Sequence, residues 1–119
     1  MAGASSAPWD GSAGRFSIEQ WRRSCCIDHG GDSSEKGNYS LPIREPDGTL
    51  NRNGVHDAAA RINQVQCSSS AKAAGARKLA AAYRSMGEHP PADVLRFAGE
   101  SAAETVAHHL RPSRDDSRS

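Results

Sequence analysis

Residues 39–64, Tyr-Ser-Leu-Pro-Ile-Arg-Glu-Pro-Asp-Gly-Thr-Leu-Asn-Arg-Asn-Gly-Val-His-Asp-Ala-Ala-Ala-Arg-Ile-Asn-Gln, restrict the folding of this chain more than any other stretch. Leu41 and Ile43 stand two residues apart, so an extended backbone puts them on one side and turns Pro42 away. Proline has no amide hydrogen to give to a ladder, so the segment is an edge strand or a bare extended run. Glu45-Pro46-Asp47-Gly48 places proline second and glycine fourth, as a type I turn prefers, and Leu50 then returns to the core. Asn53 is expected to cap a central helix over about 54–66, in which Val55, Ala58, Ala59, Ile62 and Val65 recur at helical spacing. Consecutive alanines at 58–60 let a neighbouring helix approach closely.

The flanking segments read as helices with explicit start and stop signals. Ser17 is placed to cap a first helix over about 18–27, with Gln20 three residues on to reach back and Phe16 and Trp21 clamping across the cap. That helix is expected to stop at Asp28-His29-Gly30-Gly31, and the polar run 32–38 is a surface loop. Ser68-Ser69-Ser70 breaks the chain again and caps a third helix over about 71–86, with Gly75, Leu79, Ala82, Tyr83 and Met86 as its buried stripe. Gly87 terminates it in the left-handed conformation, and Pro90-Pro91 blocks continuation. A short fourth helix is expected over 93–98, and Ser101 to Glu104 forms a capping box for a last one over about 102–110. The fold expected is mainly α: a small bundle of three to four helices with a short β-hairpin or extended turn between the first two. Residues 1–14 are expected to be a flexible arm, 15–98 the helical domain, and 99–119 a weakly helical and then disordered tail.

Only 5% of residues are aromatic and alanine supplies much of the apolar content. The core should therefore be thin, built on Leu41, Ile43, Ile62, Val65, Leu79, Tyr83, Leu95 and Phe97. With 15 basic and 14 acidic residues the net charge is +1, so no global field draws the chain to nucleic acid or acidic lipid. No apolar run approaches the ~18 residues of a membrane span, and the N-terminus lacks the pattern of a secretory leader. A soluble intracellular protein with no membrane partner is expected. Three cysteines, two of them adjacent, do not form a disulfide framework and are expected as reduced thiols.

Cys25, Cys26 and His29, with Cys67 or His108 and His109, lack the C-x2-C spacing and the second ligand pair of a zinc site. There is no G-x-S-x-G, no H-E-x-x-H and no glycine-rich phosphate loop opening a helix, so no catalytic residue, no metal ligand and no cofactor is assigned. Arg77, Lys78 and Arg84 on the third helix, with Arg44, Arg52 and Arg61 around the turn and second helix, outline a basic strip beside a helix-turn-helix-like pair. Trp9, in Pro8-Trp9-Asp10-Gly11, either folds back on its own domain or anchors in a partner. Candidate partner contacts are therefore Trp9, Arg44, Arg52, Arg77, Lys78 and Arg84.

One pattern runs through most of these segments: Pro8-Trp9-Asp10; Phe16 to Trp21 with Arg23 and Cys25 to Asp28; Tyr39-x-Leu41-Pro42-Ile43-x-Glu45-Pro46-x-Gly48-x-Leu50-Asn51; Val55 with Ala58 to Arg61; Ala76-x-x-Leu79 to Tyr83; and Pro90-Pro91. Over about residues 8–98 it resembles a small helical domain of head-morphogenesis proteins in tailed bacteriophages, associated with prohead (capsid maturation) proteases and related capsid proteins. The resemblance implies a virion or host-cytoplasm location. It also implies a major capsid protein or another head-assembly protein as partner, and no enzymatic role of the domain's own. The protease's serine and histidine belong to a different domain, and nothing here matches them. A stand-alone decoration or minor capsid protein is expected; a detached accessory domain of a prohead protease and a small DNA-binding protein are the alternatives.

Overall fold

A computed structural model of the chain describes residues 4–99. Helix α1 (Ile18–Ser24) leads directly into strand β1 (Cys25–Asp28), which pairs antiparallel with β2 (Tyr39–Pro42) in the register Cys25 to Pro42, Ile27 to Ser40 and Asp28 to Tyr39. Then come α2 (Arg52–Arg61), a 3-10 turn at Ile62–Gln64, α3 (Ser69–Ser85) and α4 (Ala92–Phe97). The described chain is thus mainly helical, with four α-helices and a two-stranded sheet; the sheet pairs 25–28 with 39–42, whereas the turn at 45–48, expected to join the two strands, is spanned by the single bridge Arg44 to Leu50. The helices pack on the hairpin as well as on one another: α3 lies against both β1 and α4, and α2 against β2 and α3. The expected last helix falls outside the described residues.

Helix α1 is three residues shorter than the expected 18–27, and the difference is a tertiary effect. Cys25-Cys26-Ile27 is a short apolar run that either a helix or a strand can bury. Pairing with β2 settles it as a strand, and Ile27 becomes fully buried against α3. Gly75 makes this contact possible. A Cβ on that residue would lie 2.6 Å from Ile27 Cγ1 and 3.1 Å from the Cys26 carbonyl oxygen.

Both α1 and α2 start with the same device. Ser17 accepts from Gln20 N while the Gln20 side chain accepts from Ser17 N, and the Phe16 and Trp21 rings meet edge-on at 5.2 Å across the cap. Helix α2 is capped by Asn51, not by Asn53 as expected. Asn51 Oδ1 accepts from Gly54 N at 2.9 Å, and Leu50 and Val55 on either side of the cap are both buried in the main core. The staple that places the cap correctly was present in the sequence as Leu50 and Val55, five residues apart. The serine break caps α3 through Ser68, so that the helix starts at Ser69, two residues before the expected 71, and Gly87 closes it at φ 74°.

The β2 strand contains the one described non-glycine residue in the left-handed region, Leu41 at φ 63°. His29 N bonds to Asn38 O at one end of the ladder, and Ile43 N to Ser24 O at the other. Bonded pairs in a regular antiparallel ladder recur at every second residue, so 38 and 43 cannot both be in phase without one reversal of the peptide plane between them. Leu41 supplies that reversal, at a local strain of roughly 1–2 kcal/mol. It buys the position of Leu41 and Ile43 together in the main core.

That core joins Cys26, Ile27, Leu41, Ile43, Leu50, Val55, Ala58, Ile62, Leu79, Tyr83 and Val94. A second cluster gathers Phe16, Trp21 and Cys25, with Trp9, Ala13 and Tyr39 at its edge. Val65 and Phe97, expected in the core, are only partly buried, whereas Ile27, Val55 and Val94, absent from the expected set, are fully buried.

Residues 4–14, expected as part of a flexible arm, are instead laid on the domain. Ser5 N donates to Leu50 O at 2.7 Å and Arg52 N to Ser5 O at 2.8 Å, a parallel bridge beside Asn51. The Trp9 ring then lies so close over Gly54 that a Cβ there would meet three ring carbons at 2.9–3.1 Å. The segment is held because the backbone at 50–52, leaving the turn for α2, offers it an unpaired edge.

Candidate functional site

Asn51 is the residue on which this end of the molecule is assembled. Its side chain is fully buried. Besides capping α2, its Nδ2 donates to Glu45 Oε2 at 2.7 Å and to Ala7 O at 3.2 Å. Glu45 in turn accepts from Arg15 at 2.9 Å, and the turn it starts is closed by Gly48 N to Glu45 O at 2.8 Å. One amide therefore ties turn, helix and N-terminal segment together. The result is a rigid frame for the surface beside it.

That surface is a cleft of about 790 Å³. One wall is the N-terminal segment from Trp9 to Ser12, the second is β2 from Tyr39 to Pro42, and the third is the end of α2 and the turn after it, with Asp57, Arg61, Gln64 and Val65. Trp21 lies at its base, its indole already committed to Lys36 O at 2.9 Å. The volume is that of an ordinary ligand cleft, but the site is open and mixes apolar with polar groups. Asp57 and Arg61 pair with each other at 3.1 Å. The Asp10 carboxylate is held below the usual range, first by the Ser12 hydroxyl, then by the Ser12 amide and by Arg15 nearby. It carries full negative charge at neutral pH.

His29 Nε2 and Ser40 Oγ share a hydrogen bond of 2.7 Å across the end of the hairpin, and Ser40 lines the cleft. A serine and a histidine in contact are two members of a nucleophilic set. Among the described residues no carboxylate bonds the second ring nitrogen of His29, and the neighbouring Asp28 instead accepts from Gly30 N. Among the described residues the pair has no third group to orient a catalytic base.

The candidate contacts read from the sequence do not come together as one surface. Lys78 donates to Cys25 O at 2.7 Å and Arg23 O at 3.2 Å, closing the C-terminus of α1 as a cation does at the negative end of a helix. Arg44 donates to Gly48 O at 2.9 Å within the turn. Arg52 pairs with Glu88, which also meets His56 at 2.8 Å, and the His56 ring stacks on Tyr83. Arg77 and Arg84 are exposed on α3. Of the six, Trp9 alone lines the cleft. The connection from α2 to α3 spans 62–68 with a 3-10 turn inside it, longer than the three to four residues of a helix-turn-helix.

Among the described residues no cluster of three His, Cys, Asp or Glu side chains is arranged to hold a metal ion. Cys25 and Cys26 are buried in the domain, and burial pushes both thiols up to about 12, against a small opposing effect of Lys78. No described helix is long and apolar enough to cross a membrane. Comparison with protein-family models, with curated proteins and with solved structures finds no match.

Proposed function

We propose that this protein is a non-enzymatic binding module of a tailed-phage head, acting on the major capsid protein or another head-assembly protein as a decoration, minor capsid or assembly factor. The observation that carries the binding reading is the open cleft framed by Asn51, where Trp9, Tyr39, Leu41 and Pro42 meet the end of α2. Aromatic side chains held on a rigid frame beside a polar rim are the usual composition of a protein-binding surface. The phage context rests on the sequence resemblance over residues 8–98, and a virion or host-cytoplasm location goes with it. The helices and hairpin are read as one small bundle whose role is to hold this surface.

The test is co-sedimentation of purified protein with procapsids and mature capsids, together with mass spectrometry of virions. Retention on either particle is expected; absence from both and from virions removes the reading. The Ser40–His29 contact is read as structural, and labelling of Ser40 by a fluorophosphonate would replace the binding role with a hydrolytic one.

A further inference from the structure

Two groups in the cleft have no partner among the described residues. Trp9 and Trp21 both have an indole N–H, and only that of Trp21 is bonded within the described residues. A buried or half-buried indole N–H normally finds an acceptor, so the free one on a residue this closely packed is an open donor. Asp10 uses one carboxylate oxygen, Oδ1, for Ser12 N at 3.0 Å and Ser12 Oγ at 2.6 Å; its Oδ2 has no partner among the described residues. The nearby Arg15 does not neutralise it by direct pairing, because its guanidinium is shared between the Asp10 main-chain carbonyl and Glu45.

The charged lining settles what complements these groups. Asp10, Asp57 and Arg61 face the cleft, and Arg61 is spent on Asp57, which leaves one uncompensated negative charge at the Asp10 end. Leu41, Pro42 and Val65 supply the apolar part of the wall. A donor N–H, an apolar strip and a carboxylate are the complement of a short extended peptide, which offers a carbonyl, an apolar side chain and a cation along one edge.

We propose that the cleft takes an extended segment of a partner protein that gives a main-chain carbonyl to the Trp9 indole N–H, a proline or aliphatic side chain to the Leu41–Pro42–Val65 wall, and a lysine or arginine to Asp10. This deepens the binding reading and rests on it. The segment is recognised in the manner of extended, proline-containing ligands in aromatic grooves, where the pre-extended backbone reduces the entropy lost on binding.

The probe is a capped seven-residue peptide of proline and leucine ending in arginine, titrated into uniformly 15N-labelled protein up to about 1 mM, the range of weak peptide recognition. The Trp9 indole resonance shifts with the titration, and by more than that of Trp21, whose N–H is already given to Lys36 O. Replacing the arginine of the peptide by glutamate weakens binding at least threefold, as loss of one exposed charge pair allows. Trp9→Phe keeps an aromatic ring at this position but removes the N–H together with part of the indole, and weakens binding about three- to tenfold. The inference is overturned if the Trp9 resonance does not move, or if the arginine and glutamate peptides bind equally. Co-sedimentation with capsids that is retained by a Trp9→Phe/Asp10→Asn protein, whose spectrum is otherwise unchanged, overturns the cleft assignment while leaving the capsid-binding function standing. Failure of the unaltered protein to bind capsids, with the peptide responses intact, removes the capsid and leaves the cleft.

Discussion

Gly75→Ala sets two known effects of opposite sign against each other. Gly75 lies inside α3, where alanine is favoured over glycine by about 1 kcal/mol from helix propensity alone. The new methyl would stand 2.6 Å from Ile27 Cγ1 and 3.1 Å from the Cys26 carbonyl oxygen, against the 3.5–4.0 Å at which carbon atoms rest. Ile27 is fully buried and has no space to retreat into, and Cys26 O is backbone, so α3 and β1 must separate. Overpacking of this kind costs roughly 1–3 kcal/mol, and a rigid opposing group places it at the upper end. The net expectation is a loss of about 1–2 kcal/mol, or a melting temperature lower by roughly 5–15 °C for a domain this size. Urea denaturation followed by circular dichroism reads it as a lower midpoint at unchanged slope. In an Ile27→Ala background the 2.6 Å contact is gone and only the 3.1 Å approach to the Cys26 carbonyl oxygen remains, so the same substitution should cost clearly less, giving a measurable coupling in the double-mutant cycle. If Gly75→Ala raises stability by the full propensity gain in the native background, the strand is not pressed on α3 and the account of why Cys25–Asp28 is a strand fails.

Asn51→Ala removes a helix cap and leaves the Glu45 carboxylate and Ala7 carbonyl without their donor, for an expected loss of about 2–4 kcal/mol in equilibrium unfolding. Gly54→Ala collides with the Trp9 ring and not with backbone. The N-terminal segment should lift away, with the Trp9 emission and indole resonance shifting while that of Trp21 and the melting temperature change little. Cys25 and Cys26 predict an alkaline loss of stability: from about pH 8.5 the unfolded thiols ionise while the folded ones, raised to about 12, stay protonated. Stability then falls with rising pH by at most about 1.4 kcal/mol per unit for each thiol, and Cys25→Ala/Cys26→Ala should flatten the dependence of the urea midpoint between pH 8 and 10.

Much of the fold was legible because its signals act over three to five residues. Ser17 with Gln20, Ser68, the Glu45–Gly48 turn, Gly87 and Pro90-Pro91 each satisfy or deny backbone hydrogen bonds locally, and each is found doing so or standing where the helix ends. Asn51 is legible too, through Leu50 and Val55, although Asn53 stands closer to the alanine run and competes with it as a cap. The candidate site was much less legible. Trp9 was recognisable as an aromatic that must go somewhere; that it lies over Gly54, with its N–H unbonded among the described residues, depends on a bridge between residues 5 and 51 that no local pattern encodes.

The sequence by itself determined where α1 and α3 begin, where α3 stops, and the turn at 45–48. The tertiary structure decided the rest: that Cys25-Cys26-Ile27 is a strand, that Leu41 takes a left-handed backbone, and that Lys78 is a cap and not a free cation. In each case the residue's own preference is weak or opposed, and the outcome is set by a partner far along the chain: β2 and Gly75 for the strand, the two phases of the ladder for Leu41, and the open carbonyls at the end of α1 for Lys78. A contact between distant residues forms only when the intervening chain has already been folded to bring them together, so its energy appears nowhere in a local reading of the residues that make it.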